Sequence, residues 1–232
     1  MKQKVWIFGD SYAARYGEGK DLENLWPYMI AKKYNVINEA LPGSSIFLAL
    51  KKINNLINHN TNTQDDILIF YMSSRDRIDF SFLERDEDAC MMHNVVNDNS
   101  DQKWIKKYLR RYKRYSTFIK NFYQYYVFNN EKALEMSMLG HYVLLKELSK
   151  RFKKVLVVPV FQLPYIKDFT IDDTEKFSIA KGNALWYHDE KNIDIDRVNH
   201  MRDENHKIIY DMTIDWIEHD IPFDTKKLKK IS

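Results

Sequence analysis

Residues 5–12 read Val-Trp-Ile-Phe-Gly-Asp-Ser-Tyr, a short apolar run that stops at a glycine, an acid and a serine. Three further stretches predict strands, namely 35–38 (NVIN), 67–72 (ILIFYM) and 155–158 (VLVV). Such runs, continuous rather than alternating, are typical of strands covered on both faces. The first stretch therefore predicts a buried strand of a parallel sheet, with polar side chains placed at its carboxyl end.

Helical periodicity lies between the first three strands, at residues 25–34 and 46–57, and again after the last strand, at about 203–218. Strands alternating with helices predict an α/β fold: a doubly wound parallel sheet in a flavodoxin-like three-layer sandwich. In such sheets ligands bind beyond the carboxyl ends of the strands. Ser11, Gly43 and Ser73 all fall at such ends, which makes this edge the place to look for a site.

The 232 residues suit a single domain, which we assign to residues 1–232. About 80 residues separate the third strand from the fourth, more than a crossover needs. The first part, 79–102, is polar, and the second part, 104–151, is helical in pattern. We therefore expect a loop-plus-helix insertion over residues 77–152 within the one domain.

Composition excludes several classes of protein. A single cysteine, Cys90, permits no intrachain disulfide, and six glycines and five prolines do not make a fibrous chain. No stretch approaches the roughly 18 apolar residues of a membrane span. No phosphate-binding or dinucleotide-binding glycine loop is present, so we expect no cofactor. We expect a cytoplasmic protein, and the oligomeric state stays open.

Three short motifs can carry chemistry, and each has an ordinary structural explanation. Ser11 follows the first strand, where a serine is well placed to act as a nucleophile, although Gly-Asp-Ser is also a common turn. Gly43 lets a backbone N–H approach an oxyanion, or simply forms the turn before a helix capped by serine. His200 precedes the last helix, as a general base or as a surface histidine.

A metal site is a weaker reading of the same region. Asp194, Asp196 and His200, with His188 and Asp189 upstream, offer oxygen and imidazole ligands. There is neither a His-Glu-x-x-His motif nor a cysteine pair. We therefore expect no metal.

Residues 103–114 are strongly basic and interleaved with aromatic residues. The cations are Lys103, Lys106, Lys107, Arg110, Arg111, Lys113 and Arg114. The aromatic residues recur at helical spacing, at Trp104, Tyr108, Tyr112, Tyr115, Phe118, Phe122 and Tyr125. We favour an amphipathic helix that buries this aromatic stripe. A nucleic-acid strand or another anionic partner at Lys103–Arg114 stays as the alternative.

Taken in order, Gly9-Asp10-Ser11, the glycine of Pro42-Gly43-Ser44 and the histidine before the last helix resemble the SGNH (GDSL-like) hydrolase family. Residues 25–31 (LWPYMIA) and 35–45 (NVINEALPGSS) are similar to its early blocks. The resemblance covers about residues 4–76 and 185–220. It implies Ser11 as the nucleophile, Gly43 as an oxyanion donor and His200 as the base, six residues before His206.

Two positions depart from the family pattern. Ser73-Ser74-Arg75-Asp76 stands where the family has Gly-x-Asn-Asp, so Arg75 replaces the oxyanion asparagine. A guanidinium can stabilise negative charge, pair with an acid or bind an anionic substrate. The family's aspartate, three residues before the histidine, is Arg197 here, and Asp196 is the nearest carboxylate.

The resemblance implies a serine esterase or acyl hydrolase that forms an acyl-enzyme. Its substrate would be a small-molecule, carbohydrate or lipid acyl ester, held by Gly43, Ser73, Ser74 and Arg75. Ser11, His200 and Asp196 would be catalytic. The alternative is a catalytically inactive SGNH-like binding or structural protein, phage-encoded and part of a virion, that uses the basic-aromatic insertion for contacts.

Overall fold

The computed structural model describes residues 2–14, 20–59, 62–73, 77, 113–127, 129–160, 177–181 and 203–229. The strands are β1 Lys4–Phe8, β2 Asn35–Asn38, β3 Ile67–Met72, β4 Lys154–Pro159 and β5 Phe177–Ile179. The α-helices are α1 Trp26–Ala31, α2 Ile46–His59, α3 Lys113–Phe122, α4 Glu131–Ser149 and α5 Asp203–His219. A π-helical turn, Tyr123–Val127, continues α3.

The strands form one parallel sheet in the order β2-β1-β3-β4-β5. β1 lies between β2 and β3, and Val5 is opposite both Val36 and Ile67. The chain therefore moves from β1 to one side to make β2, then returns past β1 to make β3. Strand order and direction confirm the predicted parallel α/β sheet.

Alternate residues of β1 point to opposite layers of the core, as strand geometry requires. Ile7 packs in the cluster that contains Trp26 of α1 and Trp216 of α5. Phe8 packs in the cluster that contains Leu50 of α2 and Leu145 of α4. The two layers bury β3 and β4 completely and all of β1 except Lys4, which is why these strands are largely apolar rather than alternating. The edge strand β2 is only partly buried.

The helices begin where the sequence offers a suitable first turn. Pro27 lies in the first turn of α1, where its missing N–H costs little. The Ser45 hydroxyl accepts the Leu48 N–H at 3.0 Å at the start of α2. The Asn130 side chain accepts the Ala133 N–H at 3.2 Å and caps α4.

The helical segment lies between the third and fourth strands, as expected. Its last helix, α4, packs beside α2 and contributes Tyr142 and Leu145 to the core. It therefore serves as the crossover helix from β3 to β4. The residues that exceed the length of an ordinary crossover precede this helix in the sequence. The boundaries 77–152 of the insertion stay a prediction.

The interpretation that the aromatic stripe between Trp104 and Tyr125 is buried on one helix face is wrong at Phe118 and Tyr125, while Phe122 is half-buried. Phe118 is 53% exposed and Tyr125 is 70% exposed, whereas Ile119 and Tyr123 are fully buried. The buried face follows this i, i+4 pair, one residue after the stripe, and the π-helical turn begins at Tyr123. A wider turn changes the angular position of the residues that follow it, so a constant 3.6-residue period fails from this turn onward, at Tyr125.

Candidate active site

The candidate site lies at the carboxyl ends of β1, β2 and β3. From β1 the chain runs through α1 to β2 on one side, and from β3 it runs to β4 on the other side. Helix α1 covers one face of the sheet and α2 covers the other. Where strand order reverses in this way, the loops separate and leave a crevice. Ser11, Gly43 and Ser73 follow these three strands, so the sheet brings the strand-end candidates to one edge.

The turn that carries Ser11 is held by Asp10. The Asp10 carbonyl accepts the N–H groups of Ala13 at 3.1 Å and Ala14 at 2.9 Å. One carboxylate oxygen, Oδ1, accepts the Tyr12 N–H at 3.1 Å, an Asx turn that spans Ser11. Ser11 itself is half-buried. The serine is thus presented from a turn whose hydrogen bonds come from the residue before it.

The loop after β2 is bonded to the Ser11 turn at both of its ends. Gly9 O accepts the Leu41 N–H at 3.0 Å and the Ser44 hydroxyl at 2.8 Å. Asn38 Nδ2 donates to the Ala13 carbonyl at 2.7 Å. The two loops therefore form one hydrogen-bonded unit rather than two independent segments.

Gly43 occupies the third position of a tight turn in that second loop. The Ser44 N–H donates to the Leu41 carbonyl at 3.1 Å, Pro42 is the second residue, and Gly43 has φ of +77°. This is the geometry of a type II turn, which favours glycine at that position. Among the described residues, the amide N–H groups of Ser11 and Gly43 donate to no protein acceptor. Two amides without an acceptor in the described part of the chain, at the carboxyl ends of β1 and β2, are suitable donors for a developing oxyanion.

A buried ion pair that the sequence patterns do not predict lies beside the Ser11 turn. Arg77 Nη1 is 3.1 Å from Asp10 Oδ2 and donates to Ser73 Oγ at 2.8 Å. The Asp10 side chain is fully buried and that of Arg77 is 13% exposed. A buried carboxylate after a strand requires a cationic partner, and that requirement was the available signal.

Two buried tyrosines, Tyr12 and Tyr71, lie close enough to Asp10 for its charge to act on their phenol groups. Burial raises the pKa of both tyrosines above the ordinary range, and the Asp10 charge raises each pKa further. Trp26 stacks on Tyr71 with ring centroids 5.1 Å apart and donates from Nε1 to the Tyr12 carbonyl at 3.0 Å. Both phenols are therefore neutral at pH 7. Trp26, stacked on Tyr71, supports the Ser11 turn through its bond to the Tyr12 carbonyl.

Of the other expected site residues, the structure describes Ser73. Ser73 is 1% exposed, and its hydroxyl is engaged by Arg77. Four of the expected residues lie outside the described ranges, so their roles stay predictions: Ser74, Arg75, Asp196 and His200.

Within the described ranges, no group of three or more His, Cys, Asp or Glu side chains is arranged to hold a metal ion. In the same ranges no helix is long and apolar enough to cross a bilayer.

Comparison with known proteins gives distant structural likenesses. No family model matches the sequence, and no curated protein matches it. The crystal structure of TesA is similar over 90% of this chain and 94% of its own, with 13% identity and a TM-score of 0.44. The psychrotrophic esterase EstA from Pseudoalteromonas sp., inhibited by monoethylphosphonate, is similar over 93% and 97%, with 14% identity and a TM-score of 0.36. The fold assignment above rests on the strand order and helix layers of this chain itself.

Proposed function

We propose that the chain is a serine-dependent ester hydrolase that acts through an acyl-enzyme on Ser11. The observation that carries the proposal is the Ser11 turn, at the point where strand order reverses. It presents a half-buried serine, and the loop after β2 is bonded to it through Gly9 O. The Ser11 and Gly43 amides, without acceptors in the described ranges, supply the complementary donors.

In the proposed reaction, Ser11 Oγ attacks the acyl carbonyl carbon while His200 takes its proton. The negative charge that forms on the carbonyl oxygen is bound by the Ser11 and Gly43 N–H groups. Collapse of this intermediate expels the alcohol, which receives the proton from His200. Water then attacks the acyl-enzyme by the same route and releases the acid, with Asp196 orienting the histidine.

Arg75 has a proposed role at the oxyanion. In the resemblance it stands where an asparagine amide would donate, and a guanidinium there adds positive charge. Loss of one such donor costs about 10²–10³-fold in rate in other enzymes. Ser73 and Ser74 precede Arg75 in the same loop. Ser73 supports the end of β3 through its hydrogen bond with Arg77, and Ser74 contacts the substrate.

The proposal is tested by active-site labelling. A fluorophosphonate probe should modify the folded protein at Ser11, located by mass spectrometry of the peptides, and a short-chain p-nitrophenyl ester should be hydrolysed. Ser11→Ala should abolish both signals without changing the circular dichroism spectrum. Ser45→Ala is the matched control, because it removes a helix cap worth about 1 kcal/mol and should still be labelled.

A second candidate function is binding without catalysis, and one observation favours it. Phe118 and Tyr125 project from the helical segment that continues the basic stretch 103–114, and both rings are largely exposed. Exposed aromatic rings that follow a basic stretch in the sequence can stack on the bases of a single strand, at about 1–3 kcal/mol per base. Fluorescence anisotropy with a labelled oligonucleotide tests this, with Phe118→Ala and Tyr125→Ala weakening binding. Absence of fluorophosphonate labelling together with tight, salt-dependent binding would favour this function over hydrolysis.

A further inference from the structure

Arg77 joins the ends of two strands through one nitrogen atom. Its Nη1 contacts Asp10, which follows β1, and Ser73, which follows β3, at 3.1 Å and 2.8 Å. Both acceptors are buried, at 0% and 1% exposure. A charge-assisted bond to a buried carboxylate is among the stronger contacts available inside a protein, because water does not compete for either group.

The two oxygens of the Asp10 carboxylate have separate partners. Oδ2 faces Arg77, and Oδ1 accepts the Tyr12 N–H across the residue between them, which is Ser11. The rotation of this carboxylate therefore sets both contacts together. If Arg77 no longer held Oδ2, the carboxylate would rotate or move toward water, and the Tyr12 N–H would lose its fixed acceptor.

We propose that Arg77 is a positioning residue, which acts through Asp10 to fix the turn that presents Ser11. It touches the carboxylate and the Ser73 hydroxyl, and we assign it no contact with substrate. The consequence for catalysis rests on the proposed function, in which Ser11 is the nucleophile. The consequence for the turn rests on the hydrogen bonds alone.

Lysine is a poor substitute for arginine in this role. The guanidinium is planar and offers its donors in a fixed arrangement, whereas an ammonium group is a point charge on a flexible stem. Arg77→Lys keeps the charge that pairs with Asp10 but loses the fixed geometry. We therefore expect it to restore part, though not all, of what Arg77→Met loses.

The test measures the turn and the nucleophile separately. Amide hydrogen exchange, resolved to residues 10–14, reports the turn without any chemistry at Ser11. Arg77→Met should raise exchange there by about tenfold or more, the size of a lost charge-assisted hydrogen bond, and leave β4 protected. The rate of fluorophosphonate labelling per folded molecule should fall by a similar factor, about tenfold, because the same turn presents the hydroxyl.

Two further variants make the interpretation specific. Asp10→Asn combined with Arg77→Met removes the unpaired buried charge and leaves an amide oxygen to accept the Tyr12 N–H, so exchange should return toward the wild-type value. Lys207→Met removes an exposed cation paired with Asp211 on α5, and should change neither readout.

The outcomes separate the two proposals. Unchanged exchange at residues 10–14 in folded Arg77→Met protein would overturn the positioning role, whatever the labelling rate. Wild-type protein that is never labelled at Ser11 would reject the hydrolase, while the exchange result would still decide the role of Arg77. If Arg77→Met does not fold, Arg77→Lys carries the comparison with the wild type. Exchange at residues 10–14 that is unchanged in Arg77→Lys would then overturn the role.

Discussion

The backbone of Gly9 lies directly against Tyr71. A Cβ atom added to Gly9 would lie 2.6 Å from the Tyr71 Cβ and 2.6 Å from the Tyr71 carbonyl oxygen, and Gly9 has φ of +143°. Both distances are far below van der Waals contact, and the φ value is one that side-chain-bearing residues rarely adopt. The glycine is therefore what allows β1 to turn toward Ser11 while β3 remains beside it.

We expect Gly9→Ala to destabilise the protein by about 2–5 kcal/mol, because backbone strain and overpacking against β3 act at the same position. The midpoint of urea unfolding, at an unchanged slope, measures this loss. Fluorophosphonate labelling of the remaining folded protein should also fall, since relief of the clash would displace the turn.

Gly140→Ala is the matched control for this prediction. Gly140 lies inside α4, and nothing is within 4 Å of an added Cβ. Alanine is favoured over glycine in a helix interior by about 1 kcal/mol, so this variant should be more stable than the wild type. Shifts of the same sign and size in the two variants would contradict the close approach of Gly9 to β3.

The central part of the fold is predictable from short-range patterns. Apolar runs that end in small or polar residues placed β1, β2, β3 and β4, and a parallel sheet follows when such runs alternate with helices. The positions of Ser11 and Gly43 at strand ends follow from the same reasoning, since each is the next turn along the chain. β5, at Phe177–Ile179, was missed because three residues give too short a pattern to recognise.

Contacts between distant residues were not predictable in this way. Asp10 and Arg77 are 67 residues apart, and no periodicity connects a strand-end acid with a cation in a later loop. Exposure of Phe118 and burial of Ile119 beside it in α3 depend on which face of the helix packs against the rest of the protein, and helical spacing alone does not reveal that face. Local patterns thus locate the candidate nucleophile, whereas tertiary contacts determine what supports it.

Tyr71→Phe should leave the protein as stable as the wild type at pH 7, or more stable by about 1 kcal/mol. The Tyr71 ring is buried, and its hydroxyl has no hydrogen-bond partner among the described residues. A buried hydroxyl without a partner costs free energy that phenylalanine does not incur. Thermal or urea unfolding at pH 7 checks this expectation, and a loss as large as that of a core truncation would contradict it.

The same tyrosine predicts a loss of stability in alkali. Burial raises the pKa of Tyr71, so above about pH 10 the unfolded chain loses this proton while the folded chain keeps it. The unfolded state then binds fewer protons, and stability falls with pH by up to about 1.4 kcal/mol per unit for this one group. Tyr71→Phe should therefore show a shallower decline than the wild type between pH 10 and 11, and equal slopes would contradict the prediction.

Glu218→Gln should lower the free energy of unfolding slightly, and this loss should depend on pH. Hydrogen bonds from Lys33 and Tyr34 lower the pKa of Glu218 in the folded protein. The stability that the Glu218 carboxylate contributes is therefore complete above its pKa in the unfolded chain and is lost as pH falls through its pKa in the folded protein. The carboxylate is partly exposed, which limits the effect at pH 7 to less than about 1 kcal/mol. Urea unfolding of both proteins at pH 7 and pH 3 should show a difference that shrinks in acid; a constant difference would mean that packing, rather than charge, is responsible.

Lys154 closes the carboxyl end of α5, and its loss should be the most costly of the lysine substitutions considered. Its ammonium group donates to the Trp216 carbonyl in the last turn and lies 4.5 Å from the centroid of the Trp216 ring. A partly buried cation at a helix carboxyl end is worth up to about 2 kcal/mol, so Lys154→Met should lower the unfolding free energy by about that amount. Lys207→Met, which removes an exposed i,i+4 pair with Asp211, should cost less than about 0.5 kcal/mol. Comparable urea midpoints for these two variants would show that the ammonium group does not stabilise the end of α5.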